Sequence, residues 1–123
     1  MLKIIAVLVL ASNLSVAVET DSGWAEQTFP NTEAGAAQLL DFAETAVGEA
    51  PHGVRVTVGW LDDNDNMEHI IELLARSEVK HGLTSPDDIR KAAAANSVPE
   101  NSALAVAHAD IARFGFLTRR QKR

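Results

Sequence analysis

Apolar positions in this chain come first as short runs and later as stripes of helical period. Ile4 to Leu10 is a continuous apolar run, Ser12-Asn13 is a turn, and Leu14 to Glu19 is a returning run. TDSG at 20–23 is a turn by composition, and Trp24 to Phe29 alternates as a third strand. These three runs predict an antiparallel meander. Pro30-Asn31-Thr32 then stops the sheet, with Thr32 as helix cap and Glu33 in the first turn, where its charge suits the helix dipole. Ala36, Leu39, Leu40, Ala43 and Val47 form one apolar stripe, closed by Gly48 and the loop EAPHG.

Val54 to Leu61 predicts a fourth strand, apolar enough to lie inside a sheet. Asp65 and Glu68 form a capping box ahead of a helix bearing Met67, Ile70, Ile71 and Leu74. Val79 to Thr84 predicts a short fifth strand. Ser85-Pro86-Asp87-Asp88 is a strong helix start, and that helix runs to about Asn96, where Ser97-Val98-Pro99 breaks it. A last helix sets Leu104, Ala107, Ile111 and Phe114 on one side and is expected to end at Gly115. The order β-β-β-α-β-α-β-α-α predicts an α/β fold: a mixed sheet, antiparallel at first, with helices on both faces.

The 123 residues are enough for one domain with a real core, and the 46% apolar content excludes a disordered chain. Cysteine is absent, which excludes a disulfide framework, a thiolate metal cluster and a cysteine nucleophile. Seventeen acidic residues stand against eleven basic ones. Four of the basic residues, Arg119, Arg120, Lys122 and Arg123, fall in the last five positions, so residues 1–118 carry seven against seventeen, or −10. A body that acidic repels a phosphate backbone unless metal ions or the tail offset it. The tail reads either as a solvated terminus or as a nucleic-acid anchor. The first residues also have two readings. MLKIIAVLVLASNLSVAV carries a lysine, an apolar run and Ser15-Val16-Ala17, which would serve as a signal-peptide cleavage site. It is too short and too interrupted by Ser12, Asn13 and Ser15 to span a bilayer.

The predicted order is the ribonuclease-H-like order. FPNTEAGAAQLLDF, TSPDDIRKAAAA and ADIARFG resemble the N-terminal domain of Piv-type insertion-sequence transposases and DNA invertases. That resemblance covers about residues 3–117, leaving 118–123 as a basic tail, and lacks the family's C-terminal serine domain. It implies a RuvC-like catalytic domain, which in the family uses four carboxylates and Mg²⁺ on DNA. It also places IAVLVLASNLSVAV on the first strand and hairpin, which favours a cytoplasmic chain over export after cleavage near Ala17.

Carried over residue by residue, the family's carboxylate positions fall on Leu8, Gly59, Leu104 and Ala107. None is acidic. Two-metal phosphoryl transfer needs several carboxylate oxygens converging on the ions, and these residues offer none. Asp62, Asp63 and Asp110 are the acids available for a relocated site; the alternative is that Asp62-Asp63-Asn64-Asp65 is a solvated loop whose last member caps a helix. An EF-hand does not fit, because its glycine position is Met67 and its bidentate glutamate position is Leu73. His52, His69, His81 and His108 lack zinc spacing. Trp24 and Trp60 could stack on bases or pack in the core.

The expectation is therefore a transposase-like domain without its catalytic chemistry and without a cofactor. Any remaining role is binding, with the element's DNA, its guide RNA or a full-length transposase as partner and Arg119, Arg120, Lys122 and Arg123 as nucleic-acid contacts. The alternatives are a small regulatory or inhibitor protein acting through protein contacts, and a small exported binding protein. No membrane association is expected.

Overall fold

The computed structural model describes residues 3–20, 23–49, 54–61, 68–76 and 80–121. Five strands, β1 (Lys3–Val9), β2 (Asn13–Thr20), β3 (Gly23–Pro30), β4 (Val54–Trp60) and β5 (Lys80–Thr84), form one sheet in the order β3-β2-β1-β4-β5. The β1–β2 and β2–β3 pairs are antiparallel, and the β1–β4 and β4–β5 pairs are parallel. This is the expected ribonuclease-H-like mixed sheet.

The pleat divides β1 and β2 between two cores. Ile5, Val7 and Val9 of β1 join Leu14, Val16, Val56 and Val58 on one face. That face is covered by α1 (Glu33–Glu49) through Ala36, Leu39 and Ala43 and by α2 (Glu68–Arg76) through Ile70. Ala6, Leu8 and Ala17 face the other way. They meet Ile89 and Ala93 of α3 (Pro86–Asn96) and Ala103, Ala105, Val106 and Ala107 of α4 (Ala103–Gln121). Residues Ile5 to Val9 are thus wholly buried, which is why β1 reads as an unbroken apolar run and not as an alternating one. Removing residues 1–17 would take out this central strand and more than half of β2. No helix among the described residues is long and apolar enough to cross a membrane.

The stretch FPNTEAG ties the meander to α1. Phe29 packs against the α1/α2 core and lies 6.3 Å, centroid to centroid, from Phe42. Asn31 reaches back to the β1–β2 turn: its Nδ2 donates to the Leu10 carbonyl at 2.7 Å, and its backbone N–H donates to Ser12 at 3.1 Å. Thr32 caps the helix, its Oγ1 accepting from Gly35 N–H at 3.0 Å and its carbonyl from Ala36 N–H at 2.9 Å. A β-carbon at Gly35 would run into the Pro30 carbonyl. Helix α3 starts as read, with Ser85 Oγ accepting from Asp88 N–H, and ends on left-handed Ser97.

Two expectations about the last helix are corrected. It does not end at Gly115 but runs on to Gln121, into the segment read as a tail. An interior glycine costs a helix only about 1 kcal/mol, and a stop needs a left-handed residue or a proline as well. Nor is Ile111 on the buried side: it is 37% exposed, whereas Ala103, Val106 and Asp110 are buried. The buried row includes Asp110, which has a charged partner on the sheet.

Helix propensity favours Gly35→Ala by about 1 kcal/mol, but the clash with Pro30 opposes it by about 1–3 kcal/mol. We expect Gly35→Ala to lower stability in urea unfolding. An unchanged or raised midpoint would mean that the start of α1 is free to move off β3.

Candidate functional site

The strand order brings together the positions that the sequence singled out at the carboxyl ends of β1 and β4. Leu8 and Gly59 are direct partners in the parallel β1–β4 register. Leu8 and Ala107 belong to one apolar core, and Leu104 packs against it. The four positions therefore share one region, and it is built from hydrocarbon.

Gly59 shows how closely that region is packed. A β-carbon there would lie 2.8 Å from Ile89 Cδ1, 2.9 Å from Val106 Cγ2 and 3.2 Å from Val106 Cγ1. Ile89 could turn its terminal methyl aside, but Val106 is β-branched and stiff at χ1. The missing side chain at Gly59 is what lets α3 and α4 descend onto the end of β4. A carboxylate at this point would have to push Val106 and the end of Ile89 aside, and burying it unpaired would cost far more than burying an apolar side chain does.

The polar groups on this face collect to one side, under β4 and β5. Thr57, Thr84 and Asp110 are the buried polar residues among those described. Thr57 Oγ1 and Thr84 Oγ1 share a hydrogen bond of 2.7 Å between adjacent strands. Arg55 Nε donates to both oxygens of Asp110, at 3.2 and 3.3 Å, joining β4 to α4. The Asp110 side chain is 3% exposed and that of Arg55 25%, so the ion pair has water on one side only. Gly82 of β5 gives the guanidinium room: a β-carbon there would lie 2.8 Å from Arg55 Nη2. Every buried side-chain nitrogen or oxygen among the described residues has a hydrogen-bond partner. This set is satisfied internally and behaves as a polar joint between sheet and helix.

Asp110 of the relocated acidic set is therefore engaged with a cation at the start of β4. Gly59 lies four residues further along β4, roughly 13 Å at the usual rise. Asp62 and Asp63 lie outside the described residues, as do Asp65, Lys122 and Arg123. Arg119 and Arg120 fall in the last turn of α4. No group of three or more histidine or acidic side chains suited to a metal ion occurs among the described residues. Trp24 packs against the α3/α4 core, with its ring centroid 6.4 Å from that of His108.

Sequence reasoning passed over Arg55, Thr57 and Thr84. The signal was present in VRVTVGW, where Val54, Val56 and Val58 alternate with Arg55, Thr57 and Gly59. Period two in an interior strand means that one of its faces is polar.

Removing one member of the Arg55–Asp110 pair strands the other. Hydrogen bonds to charged groups are worth about 1.5–3 kcal/mol, so Asp110→Ala should destabilise by about that much. Arg55→Met combined with Asp110→Leu should recover most of the loss. A double-mutant cycle in urea measures this, and additive losses would mean that the two side chains do not act as a pair. Compared with known protein families and with curated proteins, the chain matches none.

Proposed function

We propose that this chain is a transposase-type, RuvC-like domain that has kept its scaffold without the phosphoryl-transfer chemistry and acts by binding. The resemblance of FPNTEAGAAQLLDF, TSPDDIRKAAAA and ADIARFG to Piv-type transposases supplies the ancestry. The observation that carries the loss of chemistry is the packing at Gly59. Where the family would place a metal-binding glutamate, there is no room for a β-carbon before Ile89 and Val106 are met. Leu8 and Ala107 close the same region with hydrocarbon. Leucine, glycine and alanine side chains have no oxygen with which to hold Mg²⁺ or orient an attacking water.

On this reading the partner is the element's nucleic acid or a full-length transposase whose assembly the domain joins or blocks. Arg119, Arg120, Lys122 and Arg123 would serve as the phosphate contacts for nucleic acid. A charged tail of this kind binds through counterion release, so affinity for DNA or RNA should fall steeply with salt.

Incubation with branched and linear DNA in Mg²⁺ or Mn²⁺ should give no cleavage above a metal-free control. Metal-dependent cleavage abolished by Asp62→Asn or Asp110→Asn would overturn the proposal and place the carboxylates on those residues.

A further inference from the structure

The two edges of the sheet are treated differently. At β5, five residues long, Arg113 Nη1 of α4 donates to the Leu83 carbonyl at 3.0 Å, so a guanidinium lies on the backbone of that edge. β3 is eight residues long and ends the sheet on the other side, with no described strand beyond it. Its residues 25–28 are exposed, and Trp24 and Phe29 are half-buried, one on each face.

The register fixes which backbone groups point outward. Thr20 and Gly23 enclose two residues and are partners, and such a closing pair can be held only by its own hydrogen bonds. Pairs then alternate, so Ala25, Gln27 and Phe29 turn their N–H and C=O toward β2. Trp24, Glu26 and Thr28 turn theirs away from the sheet. The next hairpin agrees with this phase, since Leu10 N–H donates to the Asn13 carbonyl at 2.9 Å. Pro30, the next outward position, has no N–H to offer and ends the edge. Three consecutive outward residues are a template for one more strand.

The charge around this edge selects its occupant. Apart from Lys3 at the start of β1, residues 3–49, which build β1, β2, β3 and α1, contain Glu19, Asp21, Glu26, Glu33, Asp41, Glu44 and Glu49 and no lysine or arginine. A phosphate backbone is repelled by such a surface, and a second copy would bring the same carboxylates. On the α3/α4 face of the edge, Trp24 lies opposite Glu19, and Glu26 follows two residues later. A cationic side chain there would meet an aromatic face and two carboxylates.

We propose that β3 is a docking edge for an extended lysine- or arginine-bearing segment of a protein partner, which adds antiparallel to it as a further strand. Directly opposed residues in an antiparallel pair share a face. The partner residues opposite Trp24, Glu26 and Thr28 are therefore the cationic ones, and their backbone amides are the ones that bond to β3. This edge exists whatever the ancestry of the fold, so a nuclease result that removes the previous proposal leaves it standing.

A fluorescein-labelled nine-residue peptide alternating lysine with valine serves as the probe, with polarisation measured on the full chain. Binding is expected, weakened at least tenfold by methylating the backbone nitrogens of the lysines and little changed by methylating those of the valines. Glu26→Lys, at an exposed position, should also weaken binding at least tenfold while leaving the circular dichroism unchanged. No binding, or equal binding of both methylated probes, would overturn the proposal, the latter by reducing it to charge attraction. So would a concentration-dependent dimer in sedimentation that Thr28→Pro disperses, because the edge would then belong to a second copy.

Discussion

The burial of β1 on both faces is the constraint on which the rest of this structure depends. Ile5, Val7 and Val9 hold α1 and α2 to one side of the sheet, while Ala6 and Leu8 hold α3 and α4 to the other. Along Ile5 to Val9 there is no position where a charged group could meet water. Each large apolar side chain taken out of solvent contributes about 1.5–3 kcal/mol, whereas an unpaired carboxylate in the same place is disfavoured far more strongly. Leucine at position 8 thus belongs with glycine at 59. One fills the centre of the α3/α4 core, and the other lets both helices close over it.

Polarity is not absent from that core; it is confined to the β4–β5 side and neutralised there. Arg55 and Asp110 bridge strand to helix, Thr57 and Thr84 bridge strand to strand, and Gly82 leaves space for the guanidinium. A buried ion pair contributes little net stability compared with hydrocarbon of equal volume, but it penalises any packing that separates the two charges. In this fold it accompanies the packing of α4 that turns Asp110 inward and leaves Ile111 exposed. The FPNTEAG stretch performs a similar service on the other face. Asn31 holds the turn after β1, and Gly35 lets the first turn of α1 approach the end of β3. Residues that carry the family resemblance are here structural fasteners.

The chain's charge is divided: four of the last five residues are basic, while the β3 side is rich in carboxylates. Because the sheet is finite, its backbone hydrogen bonding must stop somewhere. At β5 a guanidinium covers the edge, whereas at β3 Trp24, Glu26 and Thr28 are left facing out.

Local patterning determined most of the architecture. Unbroken apolar runs gave the interior strands, TDSG and PNT gave the breaks, and Thr32 and Ser85-Pro86 gave the helix starts, because each rests on interactions within a few residues. Leu8, Gly59 and Ala107 were also legible as places lacking carboxylates, since residue identity alone decides whether a side chain has oxygen to offer. Tertiary structure decided what nearby residues could not. The Arg55–Asp110 pair joins positions 55 residues apart, which no local period encodes. The face that α4 buries runs through Asp110 and leaves Ile111 exposed, which a stripe read along the helix did not show. That β3 ends the sheet among the described residues likewise emerged only from strand order, because a strand's sequence does not say whether it has one neighbour or two.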